Sequence, residues 1–284
     1  MNRRQPFLLF TLLAFGYAFL YIPIISLIVY SFNSSRLVTV WGGFSTRWYG
    51  ELLHNDQILS AAWLSLRIAT MNATFSIVLG TLAAITLVRF GTFRGRTLFS
   101  TMVSAPLVMP DVILGLASLL LFVTMEHLIG WPAGRGLTTI TLAHITFSAA
   151  YVTVVVQSRL SQFDTSLEEA AMDLGARPWK VFLLITLPII APSLLAGWLL
   201  AFTLSLDDLV IASFVSGPGA TTLPMVVYSS VRLGVSPQIN ALATLIVIIV
   251  SLCILLAGWL THRKEMQRRH APAIDPTQEP VGPG

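Results

Sequence analysis

The sequence is poor in charged residues, and this shortage excludes most classes of protein at once. Asp, Glu, Lys and Arg make up 11% of the 284 residues, whereas hydrophobic residues make up 55%. Soluble domains carry about 25% charged residues, so this chain cannot cover a water-facing surface. With a mean hydropathy of +0.78, the composition predicts an integral membrane protein without a separate soluble domain.

Other missing features exclude further classes of protein. The single cysteine, Cys253, excludes a disulfide within the chain. The sequence has no GxxxxGK[ST] phosphate-binding loop, so it cannot bind ATP as P-loop proteins do. No nucleophile, metal cluster or paired acid and base stands out. His144 lacks a second histidine or cysteine at ligand spacing, which favours an interhelical hydrogen-bonding role. We therefore predict no catalytic residue, no metal site and no bound cofactor.

Long apolar runs are abundant. A helix needs about 20 apolar residues to cross a bilayer, and six segments qualify: 7–31, 64–88, 98–123, 139–156, 181–206 and 239–260. The predicted fold class is all-α, a polytopic membrane protein with six transmembrane helices. Placing the N-terminus inside puts twelve of the 17 basic residues on the cytoplasmic side and five outside. Basic residues favour the cytoplasmic side, so both termini are predicted to be cytoplasmic.

The spans suggest three regions. Residues 1–63 comprise the first helix and an outer segment whose tryptophans, including Trp48 and Trp63, are typical of the membrane interface. Residues 64–260 form a five-helix transmembrane domain with a cytoplasmic loop at about 157–180. Residues 261–284 form a cytoplasmic tail, which turns polar and proline-rich and is predicted to be disordered.

The cytoplasmic loop carries ordered helix signals. Thr165 and Ser166 are followed at the third position by Glu168 and Glu169, a pattern that predicts a capping box. Gly175 is placed to end a helix of about ten residues in the left-handed conformation, and Pro178 can begin the next helix. A short helix with a small-residue face suits docking into a groove of a partner. A solvated connector explains the same signals.

Three acids interrupt the apolar runs: Asp111, Asp207 and Asp208. Each charge within a span costs about 2.5–3.5 kcal/mol on insertion scales, which makes it a candidate functional residue. The run 181–216 would be about 54 Å long as one helix, too long for a core of about 30 Å, so a break is predicted at the acidic pair. The acids predict a cation pathway; a proton relay or simple helix capping is also compatible.

Three aromatic residues could assist a cation. Ammonium groups bind over aromatic faces with about 0.5–2 kcal/mol, and the candidates are Trp41, Trp48 and Tyr228. For each of them, anchoring at the interface or contact with another protein is the favoured interpretation.

One motif in the cytoplasmic loop carries a family resemblance. The pattern E-A-A, three residues, G, nine residues, I-x-L-P is matched at Glu169, Ala170, Ala171, Gly175, Ile185, Leu187 and Pro188. It resembles the signature loop of the permease subunits of binding-protein-dependent ABC importers. The resemblance extends over about residues 64–260 and implies the type I importer fold. It also implies that the loop docks on an ATP-binding subunit dimer, which would hold ATP and magnesium.

Further stretches resemble the permeases of polyamine importers, namely SFNSSRLVTVWGGFSTRWYGELL, APLVMPD, SLDDLVIASFVSGPGATTLP and VSPQINALAT. The loops LIGWPAGRG and SGPGATTLP look closer to the putrescine type. The resemblance implies a bacterial inner-membrane subunit that works with a second permease and a periplasmic polyamine-binding protein, and moves putrescine inward by alternating access. The alternatives are a spermidine-preferring permease and a proton-coupled cation carrier.

Overall fold

The computed structural model describes residues 4–37, 40–233 and 236–269, and these confirm the all-α prediction. Within these residues, one isolated β-bridge pairs Asn33 with Phe44. The helices are α1 (Arg4–Ser31), α2 (Arg47–Leu53), α3 (Asp56–Arg89), α4 (Arg96–Val108), α5 (Asp111–Ile129), α6 (Leu137–Ser161), α7 (Ser166–Asp173), α8 (Pro178–Val181), a π-helical turn (Phe182–Thr186), α9 (Leu187–Leu206), α10 (Val210–Val215), α11 (Leu223–Leu233) and α12 (Pro237–Arg269).

Five segments of the described chain are long and apolar enough to cross a membrane: Leu9–Ser31, Asp56–Arg89, Asp111–Ile129, Leu137–Ser161 and Pro178–Leu206. A shorter apolar stretch, Pro237–Leu252, lies in α12. This agrees broadly with the six predicted spans.

The predicted third span, 98–123, is two helices rather than one. The chain leaves the helical conformation at Met109 and Pro110, where ψ is 137° and 139°. Proline lacks the N–H that would continue α4, and it disfavours helical backbone at the residue before it. As a result, Asp111 is the first residue of α5, not a residue in the middle of a span.

The chain divides into two units, and the first comprises Met1–His54 with Val235–Gly284. In this unit α12 packs against α1 and α2. Trp48 is only 3% exposed, and its indole N–H donates a hydrogen bond to the Asn33 carbonyl. It is therefore a core residue rather than an interfacial one. Helix α12 continues to Arg269, so the predicted tail begins inside a helix, and residues 270–284 lie outside the described residues.

The second unit, Asn55–Gly234, is built around α3, α6 and α9, which pack against one another. The Asn55 side chain accepts a hydrogen bond from the Ile58 N–H and caps α3, so the boundary predicted after residue 63 falls inside this helix and Trp63 lies on it. Buried Asn72 on α3 donates to the Ser148 hydroxyl of α6 and to the Ala201 carbonyl of α9, at 3.0 and 2.8 Å. This side chain thus links all three central helices.

Candidate functional site

The loop predicted to be cytoplasmic folds largely as its sequence signals predict. Helix α7 ends at a Schellman turn, in which the Gly175 N–H donates to the Met172 carbonyl (2.8 Å) and the Ala176 N–H donates to the Ala171 carbonyl (3.1 Å). Gly175 has a φ of +85°, the left-handed conformation that favours glycine. Pro178 is the first residue of α8. The glycine turn and the proline start are confirmed.

The predicted capping box is wrong. Thr165 is at the N-cap position of α7, but its side chain makes no capping hydrogen bond. The Asp164 carboxylate instead accepts from the Ser166 N–H at 3.0 Å. The backbone and side chain of Ser166 hold the pKa of Asp164 below its ordinary value. Glu168 is directed away from the helix start, toward another helix.

Helix α7, which is eight residues long, has two distinct sides. On one side Leu167, Ala170 and Leu174 recur at helical spacing and are exposed, Leu174 by 90%. Glu169 is exposed too, whereas Ala171 is half-buried. The remaining motif residues follow on the way into the membrane, where Ile185 and Leu187 are half-buried and Pro188 is exposed. Helix α7 and the residue that follows it therefore present a small exposed apolar surface.

The other side of α7 carries an ion pair that sequence reasoning missed. The Arg89 guanidinium, at the end of α3, donates to a Glu168 carboxylate oxygen at 2.9 Å. The Thr186 hydroxyl, at the end of the π-helical turn, donates to the same oxygen. No local signal could have paired these residues, because 79 positions separate Arg89 from Glu168. A lone arginine at a span end only indicates orientation.

The break predicted at the acidic pair is confirmed, because α9 ends at Leu206 and α10 begins at Val210. The Asp208 carboxylate caps α10 by accepting from the Ile211 and Ala212 N–H groups at 3.2 and 2.7 Å. It also contacts the Nε2 atom of buried His144 at 3.1 Å. Because a carboxylate only accepts, the hydrogen of that bond is on Nε2. Asp207, by contrast, is the exposed C-cap residue of α9.

The structure confirms the interhelical role predicted for His144. Its Nδ1 atom is 2.7 Å from the Ser205 hydroxyl of α9, while Nε2 contacts Asp208. Within the residues that the structure describes, no group of three or more His, Cys, Asp and Glu side chains could hold a metal ion.

Asp111 is exposed at the start of α5. One helical turn further on, a Cβ atom built at Gly115 would lie 3.3 Å from the Ile211 Cα atom of α10. The start of α5 thus packs near the turn that carries the acidic pair. The structure places Asp111, Asp207 and Asp208 in neighbouring parts of one unit.

Of the three candidate aromatic residues, Trp48 is buried, and Trp41 and Tyr228 lie in different units. Trp41 is about half exposed and packs edge-to-face on Tyr30, with ring centroids 6.2 Å apart. Tyr228 on α11 is also half exposed, and the Arg232 guanidinium lies 5.7 Å from its ring centroid. One face of the Tyr228 ring is therefore already engaged by a cation.

Comparison with known proteins gives consistent results. Residues 76–265 match the family described as binding-protein-dependent transport system inner membrane component. The chain is 63% identical over 265 residues to the putrescine transport system permease protein PotI of Escherichia coli (strain K12), covering 93% of this chain and 94% of that protein. It is 44% identical over 247 residues to the spermidine/putrescine transport system permease protein PotC of the same strain, covering 87% and 90%.

Among solved structures, the fold is similar to that of a chain from a bacterial ABC transporter involved in the import of the acidic polysaccharide alginate. The TM-score is 0.71 at 17% identity, covering 92% of this chain and 98% of that one. A chain of the MetNI methionine ABC transporter matches with a TM-score of 0.58 at 19% identity, covering 73% and 95%. At these identities the likeness concerns the fold alone.

Proposed function

The chain belongs to the family of binding-protein-dependent transport system inner membrane components, and on that premise we propose that it is the permease subunit of an ATP-driven polyamine importer that prefers putrescine. The observation that carries the proposal is the 63% identity to a putrescine permease over nearly the whole chain. The identity to a spermidine/putrescine permease is 44%, and this difference favours putrescine. The chain is a transport subunit rather than an enzyme.

The chemistry of the acids suits a diamine. Putrescine carries two positive charges at neutral pH, and carboxylates along a membrane pathway offset the cost of removing those charges from water. Asp208 already accepts hydrogen bonds from His144 and from the start of α10, so we assign it to holding the turn. Asp207 and Asp111 are then the acids that face the amine.

The aromatic candidates have smaller roles in this proposal. Trp41 can offer an amine its exposed surface, although an interfacial position or a contact with the binding protein explains that exposure as well. Tyr228 can bind an amine only on the ring face opposite Arg232, or after Arg232 moves away.

The exposed side of α7 is the proposed contact with the ATPase. Its apolar residues and the small Ala170 fit a groove of a partner, and the Schellman turn at Gly175 fixes the direction in which the chain returns to the membrane. The partner ATPase dimer would bind ATP and Mg²⁺. A second permease and a periplasmic binding protein complete the importer. The basic-residue distribution supports a cytoplasmic position for both termini, for α7 and for the ATPase.

The proposed cycle is alternating access. The loaded binding protein docks on the outer segments, and ATP binding closes the ATPase dimer. Helix α7 passes that closure to α3 and α9, which opens the pathway outward, and hydrolysis returns it inward. Such a cycle requires ligands that bind the two states with different affinity, as ATP and the loaded binding protein would.

The test is uptake of labelled putrescine by cells that lack polyamine importers of their own but express all four components. Asp207→Asn should lose most uptake at equal membrane levels of the complex. The matched control is Asp56→Asn, which removes an exposed acid at the start of α3 and should transport normally. Unlabelled spermidine should compete poorly in the wild type.

Each alternative predicts a different result in this test. Strong competition by spermidine would make the chain a spermidine-preferring permease. Uptake that continues without the ATPase and stops with a protonophore would make it a proton-coupled carrier. Normal uptake by Asp207→Asn would exclude Asp207 from the pathway and leave Asp111 as the acid to test.

A further inference from the structure

The inward side of α7 is held by three polar side chains, which we call the cytoplasmic clamp: Arg89, Glu168 and Thr186. One oxygen of Glu168 accepts from both the Arg89 guanidinium, at 2.9 Å, and the Thr186 hydroxyl. The Arg89 and Glu168 side chains are 23% and 19% exposed, and Thr186 is buried. A charge-assisted pair shielded in this way is stronger than one at an open surface.

The clamp joins three elements that are distant in sequence. Arg89 is the last residue of α3, Glu168 lies in the first half of α7, and Thr186 ends the π-helical turn that leads into α9. The Arg89 guanidinium also lies 5.3 Å from the centroid of the Phe163 ring, in the connection that precedes α7. Arg89 therefore holds both the entry to α7 and the helix itself.

Apolar packing beneath α7 is incomplete. A cavity of about 270 Å³ lies behind the helix, and its lining includes Arg89, Glu168, Met172 and Thr186. Where a helix is not close-packed, fewer contacts resist its displacement. The polar clamp consequently carries a large share of the connection between α7 and the central helices α3 and α9.

The clamp is attached to α9 through the π-helical turn that contains Thr186. The Leu187 N–H donates to the Phe182 carbonyl, five residues back, and Pro188 follows without an N–H to donate. Such turns are commonly found at functional positions in helices. Thr186 attaches Glu168 to the end of this turn, so a displacement of α7 reaches α9 at the point where its hydrogen-bond pattern is least regular.

We propose that the cytoplasmic clamp is the device that makes α3 and α9 move with α7, and that Glu168 is its central positioning residue. The proposal rests on the function proposed above, because it presumes a partner that pushes on the exposed side of α7. It separates the roles of two adjacent acids. Glu169 belongs to the exposed side that meets the partner, whereas Glu168 holds the inward side to the membrane helices.

The test uses the complete importer in liposomes, with putrescine uptake and ATP hydrolysis measured on the same sample. Glu168→Gln keeps the size of the side chain and removes its charge, and Arg89→Gln removes the opposite charge. Each should lower the putrescine moved per ATP hydrolysed at least about fivefold, the lower end of ordinary coupling factors. Arg94→Gln is the matched control, since Arg94 is exposed in the turn between α3 and α4.

The double variant provides a second criterion. If the two charges act as one pair, the double variant should move as much putrescine per ATP hydrolysed as the more impaired of the two single variants. Effects that add, or a Glu168→Gln complex that couples like the wild type, would overturn the proposal.

Hydrogen–deuterium exchange of residues 166–175 in the assembled complex supplies a readout besides activity. Exchange should be at least about fivefold faster in Glu168→Gln than in the wild type, because α7 loses the charged contact of Glu168 with Arg89. Unchanged exchange would also contradict the clamp. If the wild-type complex hydrolyses ATP but moves no putrescine, the substrate assignment is wrong. In that case ATP hydrolysis and hydrogen exchange in the variants still test the clamp proposal.

Discussion

The Nε2 atom of His144 on α6 lies 3.1 Å from a carboxylate oxygen of Asp208, in the turn between α9 and α10. The same carboxylate caps α10, and the other ring nitrogen of His144 contacts Ser205. Two adjacent acids thus have unequal surroundings. The Asp208 side chain is held by these hydrogen bonds and is 8% exposed, whereas Asp207 is exposed at the end of α9.

We expect stability and transport to separate between these two acids. Asp208→Ala removes the cap of α10 and leaves His144 without its carboxylate, so it should destabilise the subunit by about 1–3 kcal/mol. Asp208→Asn should cost less, because asparagine caps helices as well as aspartate does. Asp207→Asn should melt like the wild type while losing uptake. Melting of the purified complex measures this, and equal melting of Asp208→Ala and the wild type would contradict it.

The start of α7 provides a prediction that opposes the capping-box hypothesis. Asp164 accepts the Ser166 N–H, and the Thr165 side chain makes no capping bond. Asp164→Ala should therefore speed hydrogen exchange in the first turn of α7, and Thr165→Ala should leave it unchanged. The reverse ranking would show that threonine is the cap.

Local signals explain what could be predicted from the sequence. The lengths of the apolar runs predict most of the spans, the overlong run 181–216 predicts the break at Asp207, and the glycine requirement of a left-handed turn predicts the end of α7. Each signal depends on residues that are close neighbours in the chain. For this reason the helices and the Schellman turn could be expected without knowledge of the tertiary structure.

Contacts between distant residues could not be predicted in this way. The capping-box prediction is wrong because Glu168 pairs with Arg89. The sequence around either residue does not indicate this pairing. The prediction that Trp48 lies at the membrane interface is wrong for a related reason. Its buried position depends on a hydrogen bond to the Asn33 carbonyl, fifteen residues away. Membrane helices are apolar on all sides, so periodicity does not reveal which face of α3, α6 or α9 is buried.

The turn after α7 should tolerate substitutions according to backbone conformation rather than size. A Cβ atom at Gly175 would meet nothing within 4 Å, but φ is +85°. Gly175→Ala should therefore cost about 1–2 kcal/mol locally, and Gly175→Asn should retain more uptake because asparagine visits this conformation. Gly175→Pro should abolish uptake, since proline fixes a negative φ and removes the N–H bonded to Met172. Labelled putrescine uptake at equal membrane levels tests the series, and normal uptake by Gly175→Pro would contradict the coupling role of the turn.

The hydrogen bonds to Glu51 on α2 predict a pH dependence of stability. The Gln238 amide and then Arg47 donate hydrogen bonds to Glu51 and hold its pKa below the ordinary 4.5. A carboxylate whose pKa is lowered on folding stabilises the fold above the unfolded pKa, and this stabilisation is lost as the pH falls through the folded value. The melting-temperature difference between the wild type and Glu51→Gln should be constant from about pH 6 to 8 and should shrink below about pH 4.5.

Gln238→Ala provides the control for this dependence, because it removes the donor with the largest effect on Glu51. It should raise the pH at which the remaining stabilisation is lost. A difference between the wild type and Glu51→Gln that stays constant down to about pH 3 would show that Glu51 has no lowered pKa.

The contact between α3 and α6 should be the packing least tolerant of a larger side chain. A Cβ atom at Gly80 would lie 2.6 Å from a methyl carbon of Val152 and 3.0 Å from the Ala149 carbonyl oxygen. Overpacking of this kind costs about 1–3 kcal/mol, more than the about 0.5–1 kcal/mol gained by replacing a helical glycine. Gly80→Ala should therefore lower the melting temperature of the complex.

Two other glycines calibrate that result. At Gly197 the nearest atom is the flexible end of Ile77, at 3.1 Å, so alanine there should have a smaller effect. At Gly16 nothing lies within 4 Å, and Gly16→Ala should be neutral or stabilising. Because the three substitutions are chemically identical, their ranking measures how closely the backbones approach. If Gly80→Ala melts no lower than Gly16→Ala, the backbones of α3 and α6 do not approach each other as closely at Gly80 as the structure shows.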